Sequence, residues 1–177
     1  MKRLGIVLAL ACCGASAAKA DWEYTKWGMT PQQVVSASKN LARASTDPND
    51  LLPDSDGNVT KLVAPFQGGK YSFEAQFGFD AADRLASVTL VLGDKSSHMD
   101  MEAMDTNMNM DVDQGICHDL DMSINRAYGP PPYHGATHLY AIEKWQDQKN
   151  KNNVDYHALY GVGCYVQYSV IKSTEPK

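Results

Sequence analysis

Between residues 71 and 92 the chain writes out two strands and the turn that joins them. Tyr71, Phe73, Ala75, Phe77 and Phe79 alternate with Ser72, Glu74, Gln76, Gly78 and Asp80, a period of two that sorts the side chains onto opposite faces of a sheet. After a turn at Ala81-Ala82-Asp83, the apolar set Ala86, Val88, Leu90 and Leu92 alternates with Ser87, Thr89 and Val91. Such strands form an antiparallel sheet with one face buried and one wet. A further strand near 59–65, joined through Gln67-Gly68-Gly69-Lys70, extends the pair into a meander.

Ahead of the meander, Met29-Thr30-Pro31-Gln32-Gln33-Val34 combines several helix-start devices. Thr30 caps, Pro31 suits the first helical position because its missing N–H has no partner there, and Gln33 closes a capping box onto Thr30. Met29 and Val34 are spaced as a hydrophobic staple. The helix is expected to run to about Ala44, burying Val34, Ala37 and Leu41. The polar stretch 47–58 contains Asp54-Ser55-Asp56-Gly57-Asn58, but a calcium loop in that frame would begin at Leu52 and end at Val63, neither of which chelates. It reads as a turn.

The same order recurs later. Ile116, Cys117, Leu120, Ile124, Ala127 and Tyr128 fit one helical face, which Gly129 terminates and Pro130 to Pro132 keep from continuing. Strands are expected near 138–145, 154–160 and 164–171. The fold class this implies is α+β: helices packed on one face of an antiparallel sheet, in two helix-plus-meander halves at about 21–93 and 111–172. A crossover rich in Met and Asp, 94–110, joins them.

The first twenty residues read as an export signal. Lys2 and Arg3 form a basic start, Leu4 to Ala11 an apolar segment, and Ala18-Lys19-Ala20 a cleavage site. Eight apolar residues are too few to span a bilayer, which takes about 20, and no later run is longer. Lipid attachment at Cys12 or Cys13 would need a better lipoprotein box than Ala9-Leu10-Ala11. Cleavage near Ala20 leaves 13 Lys and Arg against 21 Asp and Glu, a net charge of −8. The charge balance, with no basic cluster longer than Lys149-Asn150-Lys151, argues against nucleic acid and anionic membrane surfaces as partners. The expected location is periplasmic or secreted.

Export also fixes the reading of the two remaining thiols. Cys117 lies on the apolar side of its helix and Cys164 shares a strand face with Val166, Tyr168 and Val170. A helix packed on that sheet brings them together, and an oxidising compartment lets them bond.

Gly28-Met29-Thr30-Pro31-Gln32-Gln33-Val34, followed by the hairpin of residues 71–92, resembles the motif of exported BamE-like proteins. The doubled helix-plus-meander order resembles the architecture of β-lactamase-inhibitor-protein-like (BLIP-like) chains. The resemblance covers most of the mature chain as architecture and about seven residues as motif. It implies a protein that binds other proteins without catalysis. The poor lipoprotein box departs from the BamE-like pattern, and the lack of a cysteine pair in the first half departs from the inhibitor pattern.

Candidate chemistry is sparse. The segment 98–110 holds His98, Met99, Met101, Met104, Met108 and Met110, and soft thioethers select Cu(I) or Ag(I). Yet Met101, Met104 and Met108 also fall at helical spacing, as packing would require. Asn109, Asp111 and Asp113 precede Gly115, one residue too late for an EF-hand. His134 and His138 do not share a helical face, and the neighbours Cys117, His118 and Asp119 point in different directions on a helix. The favoured expectation is a non-catalytic domain, without cofactor, that binds an envelope or extracellular protein through the polar strand face of Ser72, Glu74, Gln76, Ser87 and Thr89. Its rivals are a periplasmic Cu(I) binder and a hydrolase whose site assembles only in space.

Overall fold

The computed structural model describes residues 22–92, 110–137, 140–159 and 163–171, with the side chains of 51 and 110–114 outside that description. One antiparallel sheet of eight strands dominates it, in the order β1-β2-β3-β4-β8-β7-β6-β5. The strands are β1 (Arg43–Ala44), β2 (Val59–Gly68), β3 (Tyr71–Phe79), β4 (Leu85–Leu92), β5 (Tyr133–Ala136), β6 (Tyr140–Asp147), β7 (Asn152–Leu159) and β8 (Gly163–Val170). Helix α1 (Pro31–Ala37) precedes β1 and helix α2 (Met110–Tyr128) precedes β5.

The α+β expectation of two helix-packed halves is therefore corrected. The fold is predominantly β, because the strands join into one sheet along the β4–β8 seam and the helices are minor, seven residues in α1 and nineteen in α2. The physical cause is clearest at α1. Its capping box forms as expected, with the Thr30 amide donating to Gln33 Oε1 at 2.9 Å and the Gln33 amide to Thr30 Oγ1 at 3.4 Å. The helix stops at Ala37 because Lys39 and Asn40 take positive φ values of 54° and 66°, which no helix continues through. The Ser38 hydroxyl then donates to the Val35 carbonyl and accepts from the Ala42 amide at 2.9 Å, reversing the chain. So Leu41, expected in the core, is 58% exposed, and Arg43–Ala44 become an edge strand.

The strand alternation holds across the seam. Phe77, Val88, Tyr168, Val154 and Trp145 are successive register partners from β3 to β6, and with Ala75, Leu90, Val166 and Tyr156 they form the dry face. Trp22 packs edge-on against Phe77 at 5.7 Å and tilted against Phe66 at 5.1 Å, so the residues before α1 cover the β2–β4 region. Val34 of α1 enters the same core with no exposure. On the other side of the seam α2 lies over β8. There Cys117 and Cys164 are joined by a disulfide, Cα to Cα 5.7 Å, and the Tyr156 hydroxyl donates to the Cys117 carbonyl at 2.9 Å. Of the predicted α2 stripe, Cys117 and Ile124 are buried and Leu120 packs against the core, whereas Ala127 and Tyr128 are exposed. Gly129, at φ 82°, ends the helix as expected, its amide reaching the Asn125 carbonyl.

Candidate functional site: a polar trough across the sheet

The opposite face of the sheet carries the other half of the alternation. Gln76, Thr89, Gln167, Asp155 and Lys144 are direct register partners in sequence across β3, β4, β8, β7 and β6. A parallel row runs Gly78, Ser87, Ser169, Asn153 and Gln146. Direct antiparallel partners project to the same side, so these rows floor an open trough of about 1190 Å³. It spans from β2 to β5, roughly 29 Å for six inter-strand spacings.

One rim of the trough is the connection between β1 and β2. Pro48–Leu51 makes a 3-10 turn and residues 54–58 a tight polar turn, held by the Asp54 carboxylate. Asp54 Oδ1 accepts from the amides of Asp56 and Asn58 at 2.9 and 2.8 Å. Its Oδ2 accepts from the side chains of Asn58 at 3.1 Å, Gln167 at 3.4 Å and Ser87 at 3.5 Å. Asp50 takes a hydrogen bond from the Ser45 hydroxyl and a longer one from Gln76 Nε2 at 3.3 Å. The loop thus lies on the polar face through long hydrogen bonds, and Leu52 stays 68% exposed instead of anchoring it.

This rearranges the expected partner face. Gln76, Ser87 and Thr89 line the trough, but Ser87 is buried, 3% exposed, under the chain's own loop. Ser72 and Glu74 lie farther along β3 beyond the lining, where the Ser72 hydroxyl donates to Gln67 Oε1 at 2.9 Å. Gly78 leaves room for the Ser87–Asp54 contact. A Cβ there would stand 2.2 Å from the Ser87 hydroxyl oxygen that reaches Asp54.

The far end of the trough is aromatic. The His157 and Tyr165 rings stack at 4.5 Å with 9° between planes, and His157 Nδ1 lies 3.1 Å from the Tyr140 hydroxyl. Burial pushes the His157 pKa down, so the ring is neutral at pH 7, and pushes the Tyr165 hydroxyl up to about 12. Lys144 Nζ pairs with Asp155 Oδ2 at 2.8 Å, and that hydrogen bond holds its pKa up. None of His157, Tyr165, Asp155 or Lys144 was singled out from sequence. The signal was present in the alternation of β7 and β8, but the pairing of β4 with β8 that brings these strands beside Thr89 is a long-range choice.

The other expected chemistry disperses. Cys117 is in the disulfide, and Asp119 accepts from Lys70 Nζ and the Tyr71 hydroxyl, both at 2.8 Å, which lowers its pKa. His98, Met99, Met101, Met104 and Met108 lie outside the described residues, as does the Met110 side chain, and so does His138. Among the described residues no group of three or more His, Cys, Asp or Glu could hold a metal ion.

A cluster unforeseen from sequence sits at the α2–β6 contact. His134 Nδ1 lies 2.8 Å from Glu143 Oε1, and Asn125 Nδ2 donates to Asp121 Oδ1 at 2.5 Å and to Glu143 Oε2 at 3.4 Å. Burial, with the neighbouring Glu143 carboxyl, raises the Asp121 pKa. No helix among the described residues is long and apolar enough to cross a membrane. No family model, curated protein or solved structure matches the chain.

Proposed function

We propose that this is a non-catalytic domain that binds a protein partner across the polar trough. The observation that carries the reading is the extent of that face. Its volume of about 1190 Å³ exceeds the roughly 300–1,000 Å³ of a small-molecule pocket, and it is open along its length. Its floor of glutamine, asparagine, threonine and serine side chains supplies both donors and acceptors, as a polypeptide surface requires. The resemblance to BamE-like and BLIP-like chains implies protein binding as well. An exported setting fits the disulfide, which persists where thiols are oxidised. Removal of residues 1–20 as a signal and residence in the periplasm or outside the cell belong to the same proposal.

The test is crosslinking in the native host. A photo-reactive residue in place of Thr89, on the trough floor, should give one discrete protein adduct, and Ser123, exposed on α2, should not. Thr89→Trp should lower co-purification of the partner so identified about tenfold while leaving the fold intact. Adducts at Ser123 but none at Thr89 would move the binding surface to the helix side.

A further inference from the structure

The charge of the trough selects its occupant. Among the described residues, four carboxylates line it, those of Asp50, Asp54, Asp56 and Asp155, against a single cationic side chain, Lys144. Asp155 already holds that ammonium at 2.8 Å. The half-buried imidazole of His157 adds no positive charge at neutral pH, because desolvation pushes its pKa down. Asp54 and Asp155 flank the centre of the floor at Gln167. Gln167, whose side chain reaches Asp54 on the loop, is the direct register partner of Asp155 on β7. The trough therefore carries uncompensated negative charge above a floor of amides.

We infer that the partner presents a cationic, extended polypeptide segment to this trough, with lysine or arginine side chains directed at Asp54, Asp56 and Asp155. The inference rests on the proposed protein-binding role and adds the chemistry of the partner to it. Length agrees with an extended segment, since roughly 29 Å accommodates about nine residues at about 3.3 Å each. The amides of Gln76, Gln167 and Asn153 match the peptide groups such a segment exposes. The carboxylates confer selectivity and fast encounter more than affinity, because like-charged partners are repelled and opposite ones steered in. Anionic segments would meet Asp56 and Asp155 and be refused.

The experiment uses two synthetic peptides of about ten residues, one with alternating Lys or Arg and small polar residues and one with Glu in every basic position. Binding to the full exported chain is measured by fluorescence anisotropy at about 20 and about 300 mM NaCl, a range over which exposed charge interactions are progressively screened. The basic peptide should bind, weaken about tenfold at the higher salt, and lose about tenfold in Asp56→Asn/Asp155→Asn. The matched control Asp83→Asn/Asp119→Asn, which removes two exposed carboxylates outside the trough lining, should bind as the parent does. Equal binding of both peptides, or equal loss in the two double variants, would overturn the inference as non-specific attraction. Thr89→Trp separates it from the reading it rests on. If that bulk abolishes binding while Asp56→Asn/Asp155→Asn does not, the face binds protein without selecting cations. If it leaves both peptide binding and co-purification of the native partner unchanged, the trough is not the binding surface and both proposals fall.

Discussion

The two faces of the sheet are built from the same strands and held by different physics. On the helix side Phe77, Ala75, Val88 and Val154 have no exposure and Val166 has 1%, Trp22 packs into two aromatic contacts, and a disulfide ties α2 to β8. On the trough side the covering loop is held to the sheet by hydrogen bonds of 3.3 to 3.5 Å from Gln76, Gln167 and Ser87. Dispersion and burial grow with every contact and fail together, whereas a solvent-accessible hydrogen bond nets only about 0.5–1.5 kcal/mol because water competes for each partner. The dry face therefore sets global stability, and the contacts of the wet face add little to it.

The largest effect should come from the dry face. Phe77→Ala removes the side chain at the centre of the Trp22 and Tyr24 contacts, and should cost about 3–5 kcal/mol in a urea denaturation series. A loss below about 1 kcal/mol would mean that the core relaxes into the hole and that the contrast between faces is overstated. Next is the disulfide. Its partners are 47 residues apart, so Cys117→Ser/Cys164→Ser should lower stability by about 4 kcal/mol in the chain-entropy model, less any native-state strain. Denaturation of the parent with and without reductant supplies the same quantity independently.

Gly78→Ala probes the wet face. The new methyl group must displace the Ser87 hydroxyl from Asp54, for an expected cost of about 1–2 kcal/mol. The sharper readout is local. Amide exchange in residues 54–58 should accelerate while the amides of β7 and β8 stay protected, since loops open independently of the core. Uniform acceleration would show that the loop and the dry face form one cooperative unit.

The smallest effect concerns pH. The Asp121 pKa is raised in the folded chain by burial and the neighbouring Glu143, so the native state binds that proton more tightly than the unfolded chain does. Its contribution is fully present below the ordinary value of 3.8 and is lost as pH rises through the higher folded value. Asp121→Asn should flatten that part of the stability profile, measured by chemical denaturation across mildly acidic pH. A parent and variant with parallel profiles would remove the carboxyl pair from the account of how α2 is held.

Much of the chain was legible residue by residue. The alternation in β3, β4, β7 and β8, the capping box at Thr30 and the stop at Gly129 are local signals whose physics involves at most a few neighbours. The end of α1 was not legible, because the apolar spacing of Val34, Ala37 and Leu41 would continue a helix and only the left-handed pair Lys39 and Asn40 interrupts it. Edge strands β1 and β5 were missed for a related reason. They are two and four residues long, too short for periodicity to register, and they exist because β2 and β6 offer unpaired edges to complete.

The site divides the same way. That Gln76, Ser87 and Thr89 share a face opposite the core follows from a period of two and needs no tertiary information. That Ser87 is buried under Asp54, and that Thr89 adjoins Gln167, Asp155 and Lys144, was decided by the β4–β8 seam and by the fold of the loop over it. The sequence by itself determined which side chains each strand turns toward the core, because that choice is set by backbone geometry and burial along a few residues. Only the tertiary structure decided which strands lie side by side. Pairing distant strands depends on loop closure and on the summed packing of a whole face, to which no short stretch of residues is witness.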